Sequence, residues 1–288
     1  MISVLKREFK SYFTCMTGYV ASVLVLVMSG IFIKIVCLDN GVPMMEYALP
    51  TVSMILLIAV PIITMSSFAG EKQLKTEQLL YSLPLSSTKI VLGKYLAMVG
   101  VFSVPTAVLC LFPLVLNMYG SVNLFATYSS LLTFYFLICS MAAICMFMSA
   151  ISESTVTAAV LGAGVLVLLY FSDTLASVIP TTAFASFIAF SVLGVLIAAV
   201  VYAFVRDLYI SGAVLLICQI VLSVLYYFDK TVFLGLIQKL VSAVSLFDRF
   251  DIAVRSQMLD IKAIVYYVSV SALFVFITQT VFEKKRYI

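Results

Sequence analysis

Residues 124–151 read LFATYSSLLTFYFLICSMAAICMFMSAI and contain no charged residue. A helix that crosses a membrane needs roughly 20 apolar residues, because each residue advances it by about 1.5 Å through a hydrocarbon core about 30 Å thick. This stretch exceeds that length. It therefore predicts a membrane-spanning helix, and comparable runs occur along the whole chain.

Eight runs are candidates for membrane spans. The sixth and seventh are separated only by Arg206 and Asp207, so we expect them to form a tight hairpin, and the fifth is short. The candidates cover residues 18–37, 48–69, 90–117, 124–151, 155–172, 181–205, 208–228 and 263–282.

The composition agrees with a chain that lies mostly in a bilayer. Of its 288 residues, 64% are hydrophobic and 10% are charged, whereas soluble domains are roughly half apolar and a quarter charged. We therefore predict an all-α fold, a polytopic transmembrane helical bundle of about eight spans that forms a single domain over residues 1–288.

Residues that commonly carry metal or acid–base chemistry are scarce. Histidine is absent, and the six cysteines include no Cys-x-x-Cys pair. A P-loop is absent too, since Gly93-Lys94 is followed by tyrosine and lacks the preceding glycine loop. We expect no metal site, no cofactor site and no ATPase site in this chain, and hence no enzyme.

Carboxylates are nearly absent from the candidate spans. Carriers driven by protons or sodium usually place ionisable groups at mid-membrane. Their scarcity argues against secondary transport, so conformational work would need an energy source outside the chain. A secondary carrier or a non-catalytic membrane scaffold is the alternative.

Lysine and arginine are distributed unevenly between the two sides of the bundle. With the N-terminus inside, the inner side holds about eleven of them and the outer side six. Cytoplasmic loops are enriched in these residues. An even number of spans then places both termini in the cytoplasm of a multi-pass cell-membrane protein.

Residues 1–16 predict an interfacial helix before the first span. Lys6, Arg7 and Lys10 occupy one face, which would turn towards anionic lipid. The opposite face repeats apolar residues every three or four positions, namely Ile2, Leu5, Phe9, Tyr12, Phe13 and Met16.

Residues 70–89, GEKQLKTEQLLYSLPLSSTK, are predicted to form a cytoplasmic loop with a short helix. Glu71 and Lys75 stand four residues apart, as in a helical ion pair, and Pro84 is expected to end the helix. This loop is a natural place for a soluble partner to act on the bundle.

Residues 229–262 are too polar to span a membrane and too apolar for a free loop. Val232, Phe233, Leu236 and Leu240 indicate an amphipathic helix within them. We expect this extracytoplasmic segment to lie on the outer face or to dip into it.

Prolines and small residues mark further positions in the spans. Pro61, Pro105 and Pro113 lie within the second and third candidates and can kink their helices. They are hinge candidates, and plain bundle geometry explains them equally well.

The small-residue patch from Ala158 to Gly164 permits close contact between helices.

The stretch from 61 to 97, PIITMSSFAGEKQLKTEQLLYSLPLSSTKIVLGKYLA, resembles the second span, coupling loop and third span of type-2 ABC exporter permeases, in particular the branch grouped with gliding-motility permease subunits. Residues 6–20 resemble the family's interfacial helix, and residues 245–286 resemble its outer segment and last span. Ser66-Ser67 and Lys75 depart from the family pattern. The matching motif positions are Glu71-Lys72, Thr76-Glu77, Leu79-Leu80, Pro84 and Gly93-Lys94.

The resemblance implies a six-span core, to which the candidates between 181 and 228 add a hairpin. It implies an exporter in which this chain is one half of a dimer, with an identical or homologous partner. A separate cytoplasmic ATPase subunit would bind ATP and magnesium. An accessory extracytoplasmic subunit is compatible with the resemblance, which does not identify the substrate. The expected contacts of the ATPase subunit are Glu71, Lys72, Thr76, Glu77, Leu79, Leu80 and Pro84.

Overall fold

Helices make up every regular element that the structure describes. The structure is a computed structural model, and it describes residues 2–39, 45–76, 86–118, 120, 122–172, 174, 175, 191, 219, 238, 241 and 245–287. For these residues the all-α prediction is confirmed. The elements are α1 (Ile2–Thr14), α2 (Thr17–Ile33) with a π-helical turn (Lys34–Leu38), a 3₁₀ turn (Met45–Tyr47), α3 (Leu49–Thr64), α4 (Ala69–Gln73), α5 (Ser87–Leu109), α6 (Phe112–Leu116), α7 (Leu124–Ile151), α8 (Thr155–Tyr170), α9 (Leu246–Arg255) and α10 (Ile261–Tyr287).

Five helical segments in the described part of the chain are long and apolar enough to cross a membrane, which indicates a membrane-embedded protein. They coincide with the first four candidates and the last, and α8, the fifth candidate, is apolar but shorter. The candidates 181–205 and 208–228 lie outside the described residues, apart from Ser191 and Gln219. The five segments are Thr17–Leu38, Leu49–Gln73, Ser87–Leu116, Leu124–Ile151 and Ile261–Lys284.

The chain divides into two compact units, one formed by Met1–Tyr170 with Leu246–Ile288 and the other by Phe171–Ser245. In the second unit, the Gln219 Nε2 donates to the Ser191 Oγ at 2.8 Å and to the Ser191 carbonyl at 3.2 Å. These residues come from the sixth and seventh candidates. A contact between them is what an antiparallel hairpin requires, so it supports that prediction.

α7 lies at the centre of the first unit, where it packs against α3, α5, α8 and α10. Within its apolar stretch 72% of the residues are buried, compared with 28% for α2 and for α10. A helix that is apolar all round suits a protein core or a lipid environment. α7 therefore forms the core, whereas α2 and α10 present most of their apolar surface to the surroundings.

The three prolines occupy different positions in the helices. Pro61 lies inside α3 and Pro105 inside α5, as predicted. Pro113 instead lies in the first turn of α6, after a break in the third span at Cys110 and Leu111. The first turn of a helix has free N–H groups, so proline loses no hydrogen bond there. Pro113 thus begins a helix and does not kink one from within.

Gly162 allows α8 to approach two other helices closely. A Cβ at this position would lie 3.3 Å from the Sγ of Cys145 on α7 and 3.8 Å from the Cβ of Pro61 on α3. Ala158, one turn earlier, is also buried. These contacts confirm the packing role of the small-residue patch, except at Gly164, where an added Cβ meets no described atom within 4 Å.

Gly162→Val is expected to lower the free energy of unfolding by about 1–3 kcal/mol, the usual cost of overpacking an interior contact. The new side chain would have to displace Cys145. Gly164→Val is the matched control, because its side chain enters open space, and we expect a change within about 0.5 kcal/mol. Equilibrium unfolding in mixed detergent micelles measures both. Equal losses would show that the contact with Cys145 does not set the cost.

The residues that predict an amphipathic helix in the extracytoplasmic segment, Val232, Phe233, Leu236 and Leu240, lie outside the described residues. Within that segment the structure describes α9, which is also amphipathic. Phe250 packs against Phe134 of α7, with ring centroids 5.9 Å apart, and Phe247 packs against Tyr170 of α8. The helix is thus fixed to the bundle by its apolar face. We call this end of the bundle the α9 end, and the opposite end, which contains α1 and α4, the α1 end.

Candidate functional site: a charge cluster at the α1 end

Four charged side chains from three segments of the chain lie together at the α1 end. Arg7 and Glu8 belong to α1, Glu71 to α4 and Lys94 to α5. We call these four residues the charge cluster. They meet because α4 follows the end of the second span and α5 begins the third, so both lie at the end where α1 packs against α5.

Lys94 is the centre of the charge cluster and is only 1% exposed. Its Nζ donates to the Ser67 carbonyl and to the Glu71 Oε1, both at 2.7 Å, and lies 3.6 Å from the Glu8 Oε1. The centroid of the Phe68 ring is 5.1 Å away, within the range of a cation–π interaction. An ammonium buried this completely needs its charge balanced and its donors paired. Here two carboxylates lie within 4 Å of the Nζ, and hydrogen bonds to the Ser67 carbonyl and Glu71 use two of its three donors.

Arg7 completes the charge balance on the exposed side of the cluster. Its guanidinium lies 2.7 Å from the Glu8 Oε1 and 4.0 Å from the Glu71 Oε1. Two cations therefore face two carboxylates. Because the four groups come from α1, α4 and α5, the cluster ties these three helices together.

A cleft of about 590 Å³ opens beside the charge cluster. Tyr12 in its wall is buried, and this burial, together with the nearby Glu8 carboxylate, raises the pKa of the phenol, which stays neutral. The cleft surrounds the charged groups with hydroxyl groups. Its polar lining includes Ser11, Tyr12, Thr17, Ser66, Ser67 and Thr76.

Lys72 and Gln73 connect α4 to the turn between α7 and α8. The Lys72 Nζ donates to the carbonyl of Ala150 and, at 2.9 Å, to that of Ser152. A helix leaves its last carbonyls without donor partners, and a cation there also interacts well with the helix dipole. The Gln73 Oε1 accepts a hydrogen bond from the Thr155 Oγ1 at 2.9 Å. α4 is thereby fixed to the ends of two further helices.

Ser149, which is fully buried on α7, holds the start of α4. Its Oγ accepts from the backbone N–H of Phe68 at 3.2 Å and of Ala69 at 3.1 Å, and it donates to the Met65 carbonyl at 3.1 Å. The first N–H groups of a helix have no acceptor within the helix. Since Phe68 precedes α4 and cannot cap it with its side chain, Ser149 supplies this cap from another helix.

The predicted ion pair between Glu71 and Lys75 is replaced by the bond from Glu71 to Lys94. α4 ends at Gln73, and Lys75 adopts a left-handed backbone conformation with φ of 56°. The helical spacing that would bring Glu71 and Lys75 together is therefore lost. A buried ammonium also attracts a carboxylate more strongly than an exposed lysine does, because water screens the exposed one.

The predicted contacts of an ATPase subunit divide into three groups. Glu71 and Lys72 face the bundle and bond within the chain. Thr76 is exposed, and its Oγ1 donates to the Glu71 carbonyl at 3.2 Å. The remaining members of the set lie outside the described residues, and they are Glu77, Leu79, Leu80 and Pro84.

The polar face of α1 carries the predicted cations. Lys6, Arg7 and Lys10 are all exposed, which confirms the amphipathic pattern. Arg7 has a second role that the sequence did not indicate, because it bonds to Glu8 within the charge cluster.

The apolar face of α1 packs on the bundle through Phe9 and Phe13. The Phe9 ring lies against Gly100 of α5, 3.3 Å from the position of an added Cβ. Met16 departs from the prediction, since it is 70% exposed and lies in the turn between α1 and α2 with φ of 60°. It stands after the last residue of the helix, so the helical repeat no longer places it on the apolar face.

The sequence did not predict the roles of three residues of the site. These are Glu8 and Lys94 as ion-pair partners and Ser149 as a helix cap. A signal existed for Lys94, because a lysine within an apolar span needs a carboxylate beside it. Glu8 stands among cations on the polar face of α1, where it reads as an ordinary exposed residue. Ser149 gives no signal, because many serines in this chain bond only within their own helix.

Within the described ranges, no group of three or more histidine, cysteine, aspartate or glutamate side chains lies close enough to hold a metal ion. Comparison of the chain with protein-family models, with curated proteins and with solved structures found no match. The case for a function therefore rests on this chain's own residues.

Proposed function

We propose that the chain is the transmembrane permease subunit of an ATP-driven exporter in the cell membrane. A separate cytoplasmic ATPase subunit would drive it through residues 70–89, and a second permease half would complete the pathway. In this proposal the α1 end faces the cytoplasm. The proposal rests on the polar contacts that join α4 to four other helices, namely α1, α5, α7 and α8.

The charge cluster and the α7–α8 contacts form two independent attachments for α4. On one side, Glu71 bonds to Lys94 of α5 and lies near Arg7 of α1. On the other side, Lys72 bonds to the last carbonyls of α7. A displacement of α4 would therefore move several spans together. An ATPase subunit that drives transport needs such a mechanical connection to the spans.

Leu74 supports the choice of docking segment, because it is an exposed apolar side chain directly after α4. Its exposed fraction is 75%, and Thr76 beside it is exposed as well. Burial of an exposed leucine side chain by a partner would contribute roughly 1.5–3 kcal/mol to binding. We infer that the partner contacts the chain from Leu74 onwards, whereas Glu71 and Lys72 act as positioning residues inside the chain.

When the protein is purified from its native membrane, we expect a soluble ATP-binding subunit to co-purify and to hydrolyse ATP. The chain by itself should show no ATPase activity. Leu74→Ser should weaken binding of that subunit about tenfold, the effect of losing a modest apolar contact. Met118→Ser, at the other end of the bundle and 87% exposed, is the matched control and should bind normally.

Other outcomes would favour the alternatives. Transport that persists after ATP depletion and stops when the proton or sodium gradient collapses would identify a secondary carrier. Normal binding of the ATPase subunit by Leu74→Ser would show that the docking segment is assigned wrongly.

A further inference from the structure

A second cleft, of about 560 Å³, lies at the α9 end between the 3₁₀ turn, the start of α3 and α9. It shares no lining residue with the cleft beside the charge cluster. Its polar lining residues are Glu46, Tyr47, Thr51, Asp251, Arg255 and Gln257.

Glu46 is the most deeply buried charged group of this second cleft, with 4% of its surface exposed. Among the described residues only Thr127 bonds to its carboxylate, through a hydrogen bond from Oγ1 to Oε1 at 2.9 Å. None of the ion pairs in the described part of the chain includes Glu46. A carboxylate that is withdrawn from water normally has a cation beside it, as Glu8 and Glu71 do.

The remaining charges of the cleft are already paired with each other. The Arg255 Nε lies 2.8 Å from the Asp251 Oδ2, and the Arg255 side chain is 74% exposed. Among the residues that the structure describes, this pair leaves Glu46 as the carboxylate of the cleft without a partner of opposite charge. Arg255 keeps further N–H donors that face solvent, and guanidinium groups bind phosphate well.

We propose that the second cleft binds a primary ammonium group with Glu46 as its counter-ion. An ammonium is compact and donates three hydrogen bonds, so it can bond to the Glu46 carboxylate and to a second acceptor of the cleft, such as the Thr51 hydroxyl. A divalent metal fits less well, since no cluster of three metal-ligating side chains occurs within the described residues. Arg255 suits a phosphate on the same molecule, as in phosphoethanolamine, either free or as the headgroup of a phospholipid. This inference does not depend on the proposed transport function.

The test uses the full chain in phosphatidylglycerol nanodiscs. Binding of phosphoethanolamine is measured by titration, and binding of added phosphatidylethanolamine or phosphatidylcholine by native mass spectrometry. We expect the wild type to bind at least one of the two ethanolamine compounds, and Glu46→Gln to weaken this binding about tenfold or more. Phosphatidylcholine should bind at least about tenfold less well than phosphatidylethanolamine, because its trimethylammonium group has no N–H to donate.

Two further variants complete the test. Glu153→Gln, which changes an exposed carboxylate at the α1 end, should bind like the wild type. Thr51→Phe fills the cleft and leaves Glu46 unchanged, so it decides the matter if Glu46→Gln does not fold. Binding of phosphatidylethanolamine alone assigns the cleft to lipid, and binding of phosphoethanolamine assigns it to soluble compounds as well. The proposal is overturned if neither compound binds, if binding survives in a folded Glu46→Gln or in Thr51→Phe, or if phosphatidylcholine binds equally.

Discussion

Replacement of Lys94 by methionine is expected to lower the free energy of unfolding by about 3–5 kcal/mol, the range observed when one member of a buried ion pair is removed. Methionine retains an unbranched apolar side chain, so the loss reflects charge and hydrogen bonds more than volume. Glu8 and Glu71 would remain close together with only Arg7, which is largely exposed, to balance them. The Ser67 carbonyl would also lose its donor.

Equilibrium unfolding of the full chain in mixed detergent micelles measures this effect. Lys89→Met is the matched control, because Lys89 lies on the same helix and is exposed, and we expect a change within about 0.5 kcal/mol. The double variant Lys94→Met with Glu71→Gln should recover a large part of the loss, since the remaining Arg7 and Glu8 balance each other. If Lys94→Met is no less stable than Lys89→Met, the charge cluster does not stabilise the fold.

Ser149→Ala is expected to lower the free energy of unfolding by about 2–3 kcal/mol. The substitution leaves the buried N–H groups of Phe68 and Ala69 without an acceptor, and each unsatisfied buried donor costs roughly 1–3 kcal/mol. The lower part of that range applies, because both bonds exceed 3.0 Å. The loss should appear first at α4, where hydrogen exchange of the Phe68 and Ala69 amides should accelerate.

Ser140→Ala provides a control on the same helix. Ser140 is also fully buried, but within the described part of the chain its hydroxyl donates only to the Leu137 carbonyl of α7. Its removal leaves no backbone N–H unsatisfied, so we expect a loss below about 1 kcal/mol. Similar losses for the two serines would contradict the capping role of Ser149.

The positions of the described spans follow from composition, because a bilayer selects apolar runs of sufficient length whatever their neighbours are. Residues 124–151 were predicted as a helix and form α7 over the same residues. The amphipathic helix α1 was equally predictable, because its apolar residues recur every three or four positions and so fall on one side of the helix. Local sequence patterns were therefore enough to predict those helices whose position depends on the contrast between apolar and polar surroundings.

The partners of the charged residues were not predictable in the same way. Spacing favoured Lys75 as the partner of Glu71, whereas the structure pairs it with Lys94 on another helix. Likewise, nothing near α4 in the sequence indicates that its N-terminal cap comes from Ser149, some eighty residues further along. Such contacts depend on which helices are neighbours, and a single sequence carries little information about that.

The sequence by itself determined that the chain is helical, that it lies in a membrane and that its charges concentrate at or near the ends of the spans, because each of these properties depends only on how residues distribute between lipid and water. The tertiary structure decided which of those charges meet. Burial of Lys94 removes it from water, and an ammonium in that position needs carboxylates within about 4 Å. The packing of α1, α4 and α5 provides them, and this packing links residues 70–76 to the rest of the bundle.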